Sequence, residues 1–261
     1  MKLIAILSIV LFSNIALART KTICGPSDDR VFVASNTKVA RIADKGENAG
    51  CTATMISRTC AITAGHCKRI MYKGEFNPPK SINRAPQPAS KENTYLIDQD
   101  SIKYEYDGWS DKTGKDWAVF RFKKNESTGK YPGENGNFYE VDFDEPATVS
   151  DEVTIYGFGI DKNDNDLHAA LQVNSNEVLD LDTNDIGELA IIKHGIDTMG
   201  GNSGSSILRK SKEAPYSEKI IGVHTNGGCY AQGGANQGTA ILAKLNFLAA
   251  IKSCLAAEQA Q

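Results

Sequence analysis

Thr63-Ala64-Gly65-His66-Cys67 is the stretch on which the fold turns. Residues 61–64 form a short apolar run that reads as a buried strand, and the run stops at a histidine with small residues before it and a cysteine after it. Small neighbours let an imidazole approach a second side chain, which is what a general base needs. A bridge from Cys67 to Cys51 would pin the strand end against its partner. A solvated surface histidine is the plainer alternative, and it leaves the apolar strand, the small flanks and the cysteine unexplained.

Working outward, residues 53–56, 117–122 and 153–158 repeat the pattern of short apolar runs broken by Gly, Asn, Asp and Pro. Short strands with turn signals between them, and no intervening helical periods, predict an all-β sandwich or barrel. Two turn-rich stretches interrupt the series: residues 77–93 with four prolines and residues 125–137 with three glycines. The second is a plausible boundary between halves. One helix is expected, over 242–257, with Leu242, Leu245, Leu248, Ala249, Leu255 and Ala256 as its apolar stripe.

At 261 residues the chain is long enough for one large domain or two small barrels. Its net charge of -3 comes from scattered charges, so the positive stripe that nucleic acid requires is missing and no nucleic-acid partner is expected. Lys2, the apolar run 3–12 and Ala16-Leu17-Ala18 read as a signal peptide over 1–18, which predicts an exported protein with no membrane anchor after cleavage. Export to the extracellular medium or a periplasm makes the six cysteines disulfide candidates. They show no zinc-type spacing, so no metal and no cofactor are expected. Residues 161–166 look superficially like a calcium loop but lack glycine at the sixth position and have Gln172 at the twelfth, and they read as a solvated hairpin turn.

Two further motifs carry chemistry. Gly200-Gly201-Asn202-Ser203-Gly204-Ser205 surrounds one serine with glycines, a turn that can expose its hydroxyl and aim the N–H groups of Gly201 and Ser203 at a developing oxyanion. Lys115-Asp116-Trp117-Ala118-Val119-Phe120 puts an aspartate at the head of a buried strand. Alone, either is an ordinary turn. Together with His66 they stand in the histidine, aspartate, serine order that chymotrypsin uses.

On those residues the chain resembles the trypsin-fold serine proteases from Ile23 to Ala257. Within them, Gly200 to Ser205 followed by Ile221-Gly222-Val223-His224-Thr225-Asn226-Gly227-Gly228 resembles the bacterial V8-like glutamyl endopeptidases. The resemblance implies two six-stranded antiparallel β-barrels, the first over 23–130 and the second over 135–241, then the C-terminal helix. It implies a monomeric endopeptidase acting on protein or peptide substrates, with Ser203 as nucleophile, His66 as base, Asp116 orienting His66, and Gly201 and Ser203 as the oxyanion hole. Thr225, Asn226 and Gly227 would pair with the substrate backbone, and Thr198 and His224 would hold a glutamate side chain. A non-catalytic homologue binding peptides in the same cleft is the alternative from another class.

Two residues depart from the expected pattern. Asn202 stands where vertebrate enzymes carry an aspartate that pairs with the freed N-terminal ammonium, and an amide cannot make that ion pair, so activation must work differently. Asp197 stands where trypsin places the acid that binds Lys or Arg, which keeps cleavage after basic residues open. The stretch from Ile23 to Arg30 resembles the mature start of V8-like enzymes, which makes 19–22 a short propeptide. By the same resemblance the C-terminal helix packs on the first barrel, so Cys60 would meet Cys254, Cys51 would meet Cys67, and Cys24 would be left for Cys229.

Overall fold

A computed structural model describes residues 22–108, 113–184, 187–211, 217–242 and 246–259. The expected signal peptide, residues 19–21 of the expected propeptide and residues 243–245 of the expected helix lie outside the described residues. Among the described residues no helix is long and apolar enough to cross a membrane.

Six strands close the first barrel: β1 (Val39–Ala43), β2 (Ala49–Met55), β3 (Cys60–Thr63), β4 (Lys73–Phe76), β5 (Thr94–Glu105) and β6 (Trp117–Phe122). Six more form the second: β7 (Glu152–Gly157), β8 (Gln172–Thr183), β9 (Leu189–His194), β10 (Ser206–Lys210), β11 (Glu218–Asn226) and β12 (Asn236–Ala240). Each closes in the same order, β1-β2-β3-β6-β5-β4 and β7-β8-β9-β12-β11-β10, so one topology is used twice. The expected all-β, two-barrel architecture with a C-terminal helix is what the chain adopts.

Trp117–Phe122 reads as nearly continuous apolar sequence because both of its faces are covered: Ala118, Phe120 and Phe122 point into the barrel, and Trp117 and Val119 pack outside it against the C-terminal helix. In the first barrel Ile42, Met55, Ala61, Phe76, Ile97, Phe120 and Phe122 fill the interior, with Phe120 and Phe122 edge-on at 5.1 Å. Val153, Ile155, Val178, Ile192, Ile207 and Ile221 do the same in the second. Arg41 is the charged exception on β1. Its guanidinium is satisfied by Glu75 and by the carbonyls of Ala169 and Gln87, which ties the first barrel to the second and to the proline-rich loop.

Two boundaries differ from the expectation. Val31–Phe32 pairs with Gln172 and Val173 of β8, so the segment before β1 belongs to the second barrel and the first begins at β1, not at residue 23. The helix α1 is Asn246–Gln259, and its buried residues are Phe247, Ala250 and Ile251. Ala249 and Ala256, assigned to the stripe from sequence, face solvent. Phe247 stacks on Trp117 at 5.2 Å, and that contact sets the phase of the helix and brings Cys254 to the barrel wall. Disulfides join Cys60 to Cys254, Cys51 to Cys67 and Cys24 to Cys229. Asp161 is not solvated: one carboxylate oxygen accepts the N–H groups of Asn163 and Asp164, and the other accepts the Gln172 amide.

Candidate active site

His66 leaves β3 on a 3-10 turn, Gly65–Ile70, while Asp116 directly precedes β6, the neighbour of β3. Two hydrogen bonds join them. The backbone N–H of His66 donates to Asp116 Oδ1 at 2.9 Å, and the ring Nδ1 lies 2.8 Å from Oδ2. Asp116 is buried and its backbone carbonyl accepts Thr239 Oγ1 from β12, so both barrels hold it. Tyr106 covers the imidazole with ring centroids 5.9 Å apart.

Ser203 comes from the second barrel, on the turn before β10, and is lodged against the first. Its carbonyl accepts the N–H of Thr52 at 2.8 Å and lies 3.8 Å from Cys67 Sγ, beside the Cys51–Cys67 bridge that flanks His66. Gly204, at φ +85°, lets this turn press against β3: a β-carbon there would stand 1.9 Å from Thr63 Oγ1. The Gly204 N–H in turn donates to the carbonyl of His224 at 2.8 Å. The cleft between the barrels thus gathers His66, Asp116 and Ser203 from three loops.

Beside this group the structure places the residues expected to contact substrate. Thr198 and His224 are buried, with Thr225 to Gly227 continuing along the edge of β11. Thr22 fills the space between them. Its carbonyl accepts the Thr198 N–H at 3.0 Å, its hydroxyl donates to the Thr198 carbonyl, and its Cγ2 lies 2.1 Å from where a β-carbon on Gly227 would stand. Asn236, unmarked in the sequence reading, closes the back wall by donating to Thr22 O, Ile196 O and Thr198 Oγ1 while accepting the N–H groups of Gly228 and Cys229.

Asp197 is not among the groups that face this space. Its carboxylate accepts the N–H groups of Cys24 at 2.6 Å and Asp29 at 3.1 Å, which holds the N-terminal segment on the second barrel. Burial, with the Asp29 carboxyl nearby, pushes its pKa up to about 6 despite those two donors.

His194 was also missed, because a histidine that follows Lys193 at the polar end of the strand Leu189–His194 reads as solvent-facing. It is fully buried, with Nε2 3.2 Å from Nδ1 of His224. Burial, then the neighbouring His224, holds His194 well below its ordinary pKa. Burial, then the charge of His66, pushes His224 down to about 3. Both rings are neutral at pH 7.

A cleft between two like-folded six-stranded barrels, with a histidine–aspartate pair on one wall and a glycine-flanked serine on the other, defines a trypsin-like architecture. The sequence profile of the Trypsin family matches residues 32–251, and the chain belongs to that family. It is 28% identical over 236 residues, 85% of this chain, to a glutamyl endopeptidase of Bacillus licheniformis. It is 25% identical over 226 residues, 82% of this chain, to an extracellular metalloprotease of Bacillus subtilis. The chain spans 66% of the length of each of these relatives. A solved Glu endopeptidase structure superposes on 90% of this chain and 100% of its own with a TM-score of 0.64 at 22% identity, a likeness of fold. The residues here do not suit a metal: among those described, the one cluster of potential ligands is Cys51, His66 and Cys67, and its two sulfurs are bonded to each other.

Proposed function

We propose that the protein is a secreted serine endopeptidase that cleaves after glutamate, with Ser203, His66 and Asp116 as its triad. The observation that carries this reading is the doubly hydrogen-bonded His66–Asp116 pair in the cleft where the Ser203 turn is lodged. Asp116 at Nδ1 leaves Nε2 to take the Ser203 proton as Oγ attacks the scissile carbonyl. The N–H groups of Gly201 and Ser203 meet the oxyanion, each worth about 3 kcal/mol in such sites. His66 then passes the proton to the leaving amine, and water, deprotonated by His66, hydrolyses the acyl-enzyme.

Glutamate specificity is supported by what lines the neighbouring space: Thr198, the His224–His194 pair and the β11 edge at Thr225, Asn226 and Gly227. A carboxylate buried beside His224 would oppose the downward shift that burial gives its ring, and the ring can also offer the carboxylate a neutral N–H. Thr22 occupies this space, so the reading includes removal of the chain through Thr22, which leaves Ile23 as the mature start and 19–22 as propeptide. Cleavage after Lys or Arg is disfavoured, because the Asp197 oxygens are committed to Cys24 and Asp29. Three disulfides suit an exported protein.

Fluorophosphonate labelling of the processed protein, followed by digestion of an unbiased peptide library, tests both levels. A Ser203 adduct and cuts after Glu are expected. No adduct would leave a peptide-binding homologue as the better reading, and cuts after Lys or Arg would remove the glutamate assignment alone.

A further inference from the structure

Asn202 cannot form the ion pair that an aspartate at its position makes with an ammonium, and it does not reach out for another charge. Its Oδ1 accepts the N–H of Met199 at 3.0 Å and its own N–H donates to the Met199 carbonyl at 2.9 Å, so the side chain closes its own turn. The nucleophile loop therefore needs some other fixed group.

That group is on the N-terminal segment. The Arg30 side chain is 2% exposed. Its Nε and Nη2 fork onto the Asp28 carboxylate at 2.9 and 2.6 Å, Nη1 donates to Gln172 Oε1 at 2.9 Å, and Nη2 also donates to the backbone carbonyl of Ile160 at 3.1 Å. The N–H of the same Ile160 donates to the carbonyl of Gly200 at 2.8 Å. A trans peptide is planar, with its C=O and N–H pointing in opposite directions, so fixing the Gly200 carbonyl toward Ile160 aims the N–H of Gly201 the other way. The far end of Gly201 is held as well: Thr52 Oγ1 donates to its carbonyl at 2.8 Å and accepts the Phe158 N–H at 3.0 Å. Gly201 lies at φ +104°, and a β-carbon there would stand 2.3 Å from the Phe158 carbonyl, so the loop rests directly on residues 158–160.

We propose that Arg30 is the positioning residue for the oxyanion donor, its buried guanidinium fixing Ile160, and through it the Gly200–Gly201 peptide. The inference rests on the protease reading for its kinetic consequence, and on hydrogen bonding alone for its structural one. Asp28 neutralises the charge, Gln172 orients the fork, and the charged hydrogen bond to Ile160 is of the stronger, directional kind. Lysine cannot replace it, because one ammonium on a flexible stem cannot serve Asp28, Gln172 and Ile160 together.

The test compares the whole protein with its Arg30→Lys and Arg30→Met variants by amide exchange and by kinetics. In both variants the Ile160 amide is expected to exchange about tenfold faster or more, while the amides of β3 keep their protection. For Arg30→Met, kcat should fall by about a hundredfold with KM within about threefold, and a peptide boronate that mimics the tetrahedral intermediate should lose affinity by the same factor. A product peptide should bind as before, which a general loss of structure would not allow. Should Arg30→Met fail to fold, Arg30→Lys carries the test. Unchanged Ile160 exchange in folded Arg30→Lys overturns the proposal, as does a kcat close to wild type in folded Arg30→Met. A wild-type protein with neither turnover nor a Ser203 adduct sinks the protease reading instead, and Ile160 exchange still decides the role of Arg30.

Discussion

The Asp197 carboxylate lies 2.6 Å from the backbone nitrogen of Cys24, a residue 173 positions earlier in the chain. An acid that sequence position marks as the floor of a specificity pocket is instead the anchor for the N-terminal segment. Asn174 adds to the same junction by accepting the Asp197 N–H at 2.8 Å and donating to Asp29 at 2.7 Å.

Asp197→Asn is therefore expected to leave P1 preference unchanged. An amide presents an NH2 group to one of the two backbone donors now bound by the carboxylate, so stability should drop by roughly 1–3 kcal/mol. Library digestion together with urea unfolding checks this; a switch in the residue cleaved would return Asp197 to the pocket.

Asp116→Asn should lower kcat by about 10⁴-fold with the fold intact, because an amide no longer holds the His66 tautomer that leaves Nε2 free to accept a proton. The His66 N–H can still donate to the amide oxygen, so the turn itself should survive. Single-turnover kinetics alongside circular dichroism would reveal a merely structural role as unfolding at full specific activity of the folded fraction.

Acid should destabilise the protein between about pH 6.5 and 3. His194 and His224 stay neutral in the fold while the unfolded chain protonates both near pH 6.5, so their contribution is present above that pH and lost as pH falls toward the folded value, about 3 for His224. Asp197 acts in the opposite sense: its raised pKa contributes stability below pH 3.8 that is lost as pH rises through about 6. Two groups outweigh one, so the urea midpoint should fall on acidification, more steeply in Asp197→Asn and less steeply in His194→Gln. A midpoint independent of pH from 6.5 to 4 would contradict the neutral histidine pair.

Removing the Cys60–Cys254 bridge with alanines should cost about 2–5 kcal/mol while kcat/KM stays near wild type. The bridge fastens α1 to β3 across 194 residues, on the side of β3 away from the His66 turn. Calorimetry and steady-state kinetics on the same preparation measure both quantities; a large loss of kcat/KM in folded protein would connect the helix to the site.

Much of this molecule is legible in its sequence for a local reason. A strand that ends in small residues and a histidine, an aspartate at the head of Trp117–Phe122, and a serine among glycines each announce themselves within five or six residues. The strand pattern also gives the fold class, since short apolar runs separated by turn residues, with no helical period between them, close most readily into barrels or sandwiches. Helix phase was less legible: Ala249 and Ala256 are as apolar as Ala250, and the stacking of Phe247 on Trp117 is what chooses between the faces.

His194, Asn236 and Arg30 carried no usable mark. Each is polar and lies in or beside an ordinary strand or loop, and each acquires its role from partners far away: His224 for the first, Thr22 and Thr198 for the second, Ile160 for the third. The count of four histidines was the one hint, since three of the four prove to be buried or nearly so around the cleft.

What the sequence alone determined is the set of short strands and the histidine, aspartate and serine turns, because backbone periodicity and turn chemistry act between near neighbours. Tertiary structure decided where charge points. Asp197 turns to Cys24, Arg30 to Ile160, and His194 to His224, because a buried polar group must satisfy itself with whatever partners chain closure brings within about 3 Å, and those partners have no fixed distance along the chain.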